Sequence, residues 1–210
     1  GWSPNATFEA TKIFSSQLNA KLAQRFYNII LLPNVQANIE QYKKLNYHLY
    51  MAVKKSMFKT GAFFKGFLLP LAETATTREA IIIGSILQKM SIQALDVAAA
   101  LYKMTTYDYQ LGNGYFIKVL MSKRYTLPTT VLDALIDFFC KTGLHQFEKE
   151  GQEEEDQMEE ERDDDYYGDS SGILKEMPVM WHQTVLALVQ CYKSYFSVEQ
   201  RKKIQQLIKV

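Results

Sequence analysis

The chain has 210 residues, of which 47% are hydrophobic and 22% are charged, a balance typical of a folded globular protein. No apolar run approaches the roughly 20 residues that a membrane-spanning helix needs, which excludes such a helix from this sequence. The net charge of +1 hides an asymmetry, because residues 1–147 hold 16 Lys and Arg against 8 Asp and Glu, whereas residues 148–169 hold 2 against 13. The sequence therefore predicts a basic body with an acidic appendage, which favours a polyanionic partner for the body.

The hydrophobic period of the first half is helical. Apolar residues step by three and four positions from Ile39 to Met57 and predict one continuous helix over this stretch. Thr76 and Glu79 have the spacing of a capping box, in which each side chain satisfies a free backbone N–H of the other residue. The next helix is predicted to begin with Ser91 as its cap.

The second half continues the helical pattern. Pro128 is placed near the first turn of a helix, where its missing N–H does no harm, and Gly143 is predicted to end that helix. A second proline, Pro178, precedes another helix, and Ser197 is predicted to cap the last one. Helix pairs recur about every 40 residues with no repeated residue signature. This spacing predicts an all-α array of antiparallel helix pairs, a HEAT/TPR-like α-solenoid.

Residues 148–172 interrupt this pattern with the acidic tract. Their charge density opposes collapse into a core and predicts a disordered acidic loop. The helices after the tract alone would make a thin core, so residues 1–210 are predicted to form a single domain that contains the loop.

A basic face accompanies the predicted helix between Ile39 and Met57. Placed on one helical wheel, its apolar residues occupy one side and its cations the other, with few acids four positions away to neutralise them. The candidate RNA-binding residues are Lys43, Lys44, His48, Lys54, Lys55 and Lys59, with Lys65 after a glycine-bearing turn. Phenylalanines at 58, 63, 64 and 67 are interleaved with these lysines. The pattern suits phosphate contact with base stacking, and it equally fits a solvated lysine face on a packed corner.

Two further clusters have open interpretations. Trp181 and His182 begin a helix, and they are either a buried Trp with a hydrogen-bonded His or part of a groove that accepts a partner peptide. A basic run near the C-terminus, Arg201, Lys202 and Lys203, is either solvated or a second RNA contact. The three histidines are far apart in the sequence, and no Cys or His has metal-ligand spacing, so no metal site is predicted.

Long blocks of the sequence resemble the bystin family, which includes the essential nuclear protein of yeast. The blocks are QRFYNIILLPNVQANIEQYKKLNYHLYMAVKKSMFKTGAFFKGFLLPL, TREAIIIGSILQKMSIQALDVAAAL, SKRYTLPTTVLDALIDFF and MPVMWHQTVLALVQCYK. The resemblance covers nearly the whole chain outside the acidic tract, which looks like an insertion relative to the family. The family's longer N-terminal region is absent, so we expect the chain to be an excerpt of a longer protein.

The resemblance implies an all-helical, repeat-like assembly factor of the small ribosomal subunit. It implies no enzymatic activity, cofactor, membrane contact or small-molecule substrate. The implied partners are pre-ribosomal RNA of the small subunit, small-subunit ribosomal proteins and other assembly factors, including the low-temperature-viability protein. The implied location is the nucleolus and nucleus, with passage to the cytoplasm on the precursor during rRNA processing and export. The alternative is a helical scaffold that binds assembly-factor or ribosomal-protein peptides without direct RNA contact.

Overall fold

The computed structural model describes the backbone of residues 2–153 and 177–209 and the side chains of residues 2–143 and 177–207. These ranges are helical and contain no strand, which confirms the all-α prediction. The helices are α1 (Pro4–Gln17), α2 (Ala20–Phe26), α3 (Leu32–Tyr42), α4 (Tyr47–Ser56), α5 (Thr60–Phe63), α6 (Leu69–Thr74), α7 (Thr77–Lys89), α8 (Ala94–Met104), α9 (Leu111–Met121), α10 (Thr129–Glu153), α11 (Val179–Tyr192) and α12 (Val198–Lys209). None of the described helices is long and apolar enough to cross a membrane.

The continuous helix predicted from Ile39 to Met57 is wrong, because the chain turns between α3 and α4. Lys43 adopts the left-handed conformation, with φ of 58°, and its N–H donates to the carbonyl of Ile39. The Asn46 side chain then accepts a hydrogen bond from the backbone N–H of His48 at 2.9 Å and starts α4. Asparagine favours this local bonding over helix propagation. The apolar period survives the break because both helices bury their stripes in the same core.

Two capping predictions are confirmed. Thr76 Oγ1 accepts from the Glu79 backbone N–H at 3.3 Å, and the Glu79 carboxylate accepts from the Thr76 backbone N–H at 2.8 Å. Ser197 and Gln200 form the same reciprocal pair, at 3.2 and 2.8 Å, ahead of α12. Polar side chains with this spacing satisfy N–H groups that the helix itself leaves unpaired.

Two other boundary predictions are wrong. Ser91 does not cap α8, which begins after Gln93. Gly143 does not end α10, which continues to Glu153. A Cβ at Gly143 would lie 3.1 Å from Leu207 and 3.5 Å from the Trp181 ring, so this glycine permits close packing rather than a turn. Of the predicted disordered loop at residues 148–172, residues 148–153 continue α10, and residues 154–172 lie outside the described residues.

Two π-helical turns, Tyr27–Leu31 and Phe64–Leu68, join α2 to α3 and α5 to α6. Each leads into Leu-Leu-Pro, so a proline lies at the second residue of the following helix. Proline lacks an N–H and its ring conflicts with a carbonyl one turn earlier, a conflict that a wider turn relieves. The shared pattern, Phe-Tyr/Phe-x-x-Ile/Phe-Leu-Leu-Pro, is a repeat that the sequence reading missed. The two turns contact each other, and Gly66 brings its backbone against the carbonyl of Gln24.

Helices that are second neighbours along the chain run parallel when α2, the π-helical turn Tyr27–Leu31 and α3 are counted as one continuous helix. The contacts that show this are Phe8 with His48 and Leu18 with Lys59 for α1 and α4, Gly114 with Thr184 and Met121 with Tyr192 for α9 and α11, and Asp133 with Gln200 and Asp137 with Lys203 for α10 and α12. In each pair of helices, the residue with the higher number in one helix contacts the residue with the higher number in the other, so the two helices point the same way. Parallel second neighbours are compatible with stacked helical hairpins, and the HEAT/TPR-like arrangement itself stays a prediction.

Candidate nucleic-acid interface

The turn between α3 and α4, residues 42–47, places two lysines between two exposed tyrosines. We call this segment the basic turn. Lys43 and Lys44 are exposed, and the left-handed backbone at Lys43 reverses the chain so that both side chains leave the core. Tyr42 is 56% exposed and Tyr47 is 69% exposed. The basic turn therefore offers cations for phosphate and aromatic faces for bases side by side.

His48 and Lys65 differ from these two lysines in their surroundings. The His48 ring is half-buried, with its centroid 5.8 Å from the Tyr47 ring and 6.3 Å from the Phe8 ring. The His48 ring therefore packs against the side chains behind the basic turn and adds little to its exposed surface. Lys65 is exposed on the second π-helical turn, away from α4 in sequence.

Lys54 and Lys55 lie in the last turn of α4. Lys54 is exposed, and Lys55 places its ammonium 5.3 Å from the centroid of the Phe58 ring, a cation–π contact. These lysines border a cavity of about 430 Å³ that we call the α1–α4 groove. Its lining residues are Phe8, Lys12, Met51, Lys54, Lys55, Met57, Phe58 and Met90. The groove thus has apolar methionine and phenylalanine walls and a rim of three lysines.

Lys59 does not belong to the free basic face. Its ammonium donates a hydrogen bond to the carbonyl of Leu18, the residue that follows α1, and its side chain is half-buried. The helical wheel placed it with the other lysines because it assumed one straight helix. The chain instead tightens into a 3₁₀ turn at Met57–Lys59, which redirects Lys59 toward α1.

The phenylalanines of this region also fall into two groups, one buried and one exposed. Phe63, Phe64 and Phe67 are buried in the core, and the rings of Phe63 and Phe67 stack with centroids 5.1 Å apart. Phe58 is 69% exposed. The region is therefore a packed corner on one side and a basic surface on the other.

Among the described residues, few lysines of the N-terminal half form an ion pair with an acidic residue. Within the described residues, the ion pairs are Lys12 with Glu9 at 3.4 Å and Lys203 with Asp137 at 2.7 Å. Neither pair involves Lys43, Lys44, Lys54 or Lys55. In the described part of the chain, the lysines of the basic turn and of the end of α4 are therefore held in no ion pair, even though Glu40 lies three residues before Lys43.

The C-terminal basic run differs from the N-terminal lysines because one of its cations is paired with a carboxylate. Lys203 donates to Asp137 across the α10–α12 contact, and this hydrogen bond raises the pKa of Lys203. Gln200 on the same helix donates to the carboxylate of Asp133 at 2.5 Å. Arg201 and Lys202 are exposed. Of the three predicted RNA-binding residues here, one is paired with a carboxylate.

Trp181 is a core residue. Its side chain is 6% exposed, its Nε1 donates to Thr142 Oγ1 at 3.0 Å, and it packs edge-on against Phe139. His182 is exposed and lies 3.4 Å from the carbonyl of Pro178 through Nδ1. Of the two residues predicted to line a partner groove, only His182 offers its side chain to solvent. In the described part of the chain, no group of three or more His, Cys, Asp or Glu side chains is arranged to hold a metal.

A cavity of about 190 Å³ beside the basic turn was missed by sequence reasoning. Its lining residues are Trp2, Pro4, Asn34, Ala37, Asn38, Gln41, Tyr42 and Leu49. They come from the residues before and at the start of α1, from one face of α3 and from the buried side of α4. The available signal was the spacing of Asn34, Asn38 and Gln41, which puts three amides on one face of a helix. Trp2 lies far from them in sequence, so the aromatic wall was not predictable from spacing.

The chain matches the Bystin family over residues 1–210. It is 41% identical to bystin of Homo sapiens over 211 residues, which cover 100% of this chain and 42% of that protein. It is also 42% identical to bystin of Bos taurus, with the same coverage, and 41% identical to bystin of Arabidopsis thaliana, covering 99% of this chain and 41% of that protein. The chain spans about two fifths of the length of these curated relatives. The chain belongs to the bystin family.

Proposed function

We propose that this chain is the helical domain of a non-enzymatic assembly factor that binds pre-ribosomal RNA at the head of the small-subunit precursor. Bystin-family membership supports this proposal through the functions that the resemblance implies. The proposed role is in pre-rRNA processing and in maturation and export of the subunit. Its location would be the nucleolus and nucleus, with passage to the cytoplasm on the precursor.

The observation that carries the RNA-binding part is the uncompensated basic surface formed by Lys43, Lys44, Lys54 and Lys55. These side chains have no carboxylate partner among the described residues, and they lie next to exposed aromatic rings. Lysines in this state displace the cations that are condensed on RNA phosphates, and release of those cations makes binding sensitive to salt. Contacts to phosphate alone make affinity weakly dependent on sequence.

The parallel packing of alternate helices supports a HEAT/TPR-like α-solenoid for the whole domain. Such arrays present long surfaces on which several partners fit at once. The proposed partners besides RNA are small-subunit ribosomal proteins and other assembly factors, including the low-temperature-viability protein. Arg201, Lys202 and His182 are exposed at the other end of the sequence and are candidate contacts for these partners.

A salt titration tests the RNA-binding proposal. The affinity of the domain for a small-subunit head RNA fragment is measured from 50 to 300 mM salt for the wild type and for Lys43→Glu/Lys44→Glu/Lys54→Glu/Lys55→Glu. We expect the variant to keep its circular dichroism spectrum, to lose at least about 100-fold in affinity at low salt, and to show a flatter dependence of affinity on salt. Equal affinities and equal slopes would contradict RNA binding by this surface.

The α1–α4 groove favours a second candidate function, a scaffold for peptides of assembly factors or ribosomal proteins. Methionine walls adapt to different side chains, and the lysine rim favours an acidic peptide. The substitution Met90→Ser removes an apolar wall of the groove and leaves the three lysines and the Lys55–Phe58 contact in place. Loss of peptide binding in this variant with unchanged RNA affinity would support the scaffold function and would separate it from the first candidate.

A further inference from the structure

The cavity beside the basic turn has the chemistry of a nucleobase site. It is smaller than the roughly 300–1,000 Å³ pockets that bury drug-sized ligands, so it suits a single ring system. Trp2 and Tyr42 contribute aromatic surface, and Trp2 is 46% exposed although its ring also approaches Phe26. Buried Leu49 contributes an apolar surface. Flat, partly apolar heterocycles bind best between such surfaces.

Three amides on α3 supply the polar edge of this cavity, and the hydrogen bonds of two of them fix their orientation. Asn34 donates through Nδ2 to the carbonyl of Ile30 at 2.9 Å, which leaves its Oδ1 to accept. Asn38 accepts through Oδ1 from the backbone N–H of Asn46 at 2.8 Å, which leaves its Nδ2 to donate. Gln41 makes no hydrogen bond to the described residues and can do both. One acceptor, one donor and one adaptable amide match the mixed edge of a base.

The cavity lies directly beside the two lysines of the basic turn. Tyr42 lines the cavity and is followed directly by Lys43 and Lys44, which are exposed. A nucleotide whose base enters the cavity therefore has cations close to its phosphate. A base held in a stacked duplex cannot enter a cavity of this kind, because its Watson–Crick edge and both faces are occupied.

We propose that the cavity between Trp2, Tyr42 and the amide face of α3 binds one unpaired base of single-stranded RNA. This inference rests on the proposed RNA-binding function and deepens it, because it assigns a base contact to a surface otherwise described by its charge. Phosphate contacts by the lysines set the affinity, and the cavity selects RNA in which a base is free of its stack.

Trp2 fluorescence tests the proposal directly, because the chain has two tryptophans and the other one is buried. In Trp181→Phe, Trp2 is the sole tryptophan. Titration with single-stranded U12 and A12 oligoribonucleotides is expected to quench its emission through stacking, and the A12–U12 duplex is expected to quench much less. Should Trp181→Phe unfold, the difference in quenching between wild type and Trp2→Phe gives the same information.

Affinity measurements provide the matched control. Tyr42→Ala is expected to weaken single-strand binding about tenfold without changing the salt slope, because a stacking surface is lost and no phosphate contact is. Tyr195→Ala removes an equally exposed tyrosine that lies outside the basic turn and does not line the cavity, and it is expected to leave affinity near that of the wild type. Lys43→Glu/Lys44→Glu is expected to flatten the slope.

Two outcomes would overturn the proposal, and they are distinguishable. If the wild type binds RNA with a salt-dependent affinity, but Tyr42→Ala behaves like Tyr195→Ala and Trp2 is not quenched, the base pocket is wrong and the RNA-binding function stands. If the wild type binds neither oligonucleotide nor head RNA, both proposals are wrong.

Discussion

The chain contains two basic regions of similar appearance in sequence and different character in space. In the N-terminal region, Lys43, Lys44, Lys54 and Lys55 have no carboxylate partner among the described residues. In the C-terminal region, Lys203 is held by Asp137, and the neighbouring Asp133 receives a hydrogen bond from Gln200. The acids that compensate the C-terminal region come from α10, more than sixty residues earlier in the chain.

This difference shows that a run of basic residues is not itself a basic surface. A cation contributes to long-range attraction of a polyanion only when no nearby carboxylate cancels its field. The N-terminal region meets that condition, and the C-terminal region meets it only at Arg201 and Lys202. Lys59 shows the same point inside the N-terminal region, because its ammonium is bound to the Leu18 carbonyl.

The largest expected effect comes from breaking the support beneath the N-terminal region. A Cβ at Gly66 would clash with the backbone carbonyl of Gln24, where the second π-helical turn packs closely across α2. Because backbone cannot move aside cheaply, Gly66→Ala is expected to lower the free energy of unfolding by about 3 kcal/mol. Urea denaturation followed by circular dichroism measures this change.

The neighbouring Gly61→Ala is the control for that substitution. Its Cβ would meet only the Asp96 carboxylate at an ordinary 3.5 Å. Since alanine is favoured over glycine in helices, we expect stability to be unchanged or slightly increased. A loss at Gly61→Ala as large as that at Gly66→Ala would contradict the close crossing.

The next effect separates a structural lysine from a surface lysine. Lys59→Met removes the donor to the Leu18 carbonyl and keeps most of the aliphatic stem. It is expected to lower the free energy of unfolding by about 1 kcal/mol and to leave RNA affinity nearly unchanged. Lys54→Met is expected to do the reverse, with unchanged stability and weaker RNA binding. Equal losses of RNA affinity in the two variants would show that Lys59 belongs to the binding surface.

A smaller effect is expected where a carboxylate is removed from the C-terminal region. Asp137→Asn frees Lys203 from its ion pair and takes away one negative charge. The variant is expected to bind RNA a few-fold more tightly at low salt, because Lys203 then has no ion pair and the net charge near the three cations is one unit more positive. The same substitution is expected to return the pKa of Lys203 toward its ordinary value, measured by NMR titration. An unchanged RNA affinity would show that the ion pair is not what keeps this region inactive.

The smallest effect concerns alkaline pH and lies away from both regions. Burial raises the pKa of Tyr192 to about 12, so the folded protein keeps this phenol protonated at pH values where the unfolded chain has released the proton. The free energy of unfolding therefore falls as pH rises from 10 to 12. Tyr192→Phe is expected to show a shallower fall over this window. Identical curves for the variant and the wild type would contradict the raised pKa.

Much of the fold was predictable because it depends on neighbours in sequence. Hydrophobic periodicity gave the helices, and the Thr76–Glu79 pair gave a helix start, since both involve residues within one turn of each other. The break at Lys43 was not predicted, because the apolar stripe continues through it. The π-helical turns were also missed, although the repeated Leu-Leu-Pro was visible at residues 31–33 and 68–70.

The candidate site was predictable in its composition and not in its arrangement. Lys43, Lys44, Lys54 and Lys55 could be identified because few acids lie near them along the chain. The Lys59–Leu18 and Lys203–Asp137 contacts join residues more than forty positions apart, and spacing carries no information about them. The cavity that brings Trp2 beside Tyr42 is of the same kind, since it depends on how α1 lies against α3 and α4.

The proposed RNA surface is the N-terminal basic region and not the C-terminal one. The most direct test compares Lys43→Glu/Lys44→Glu with Arg201→Glu/Lys202→Glu, which reverse the same number of exposed charges. Binding to a small-subunit head RNA fragment is measured for both at one low salt concentration. We expect a loss of affinity of about tenfold or more for the N-terminal pair and of less than about threefold for the C-terminal pair. Equal losses, or a larger loss for the C-terminal pair, would show that RNA does not bind mainly at the N-terminal region.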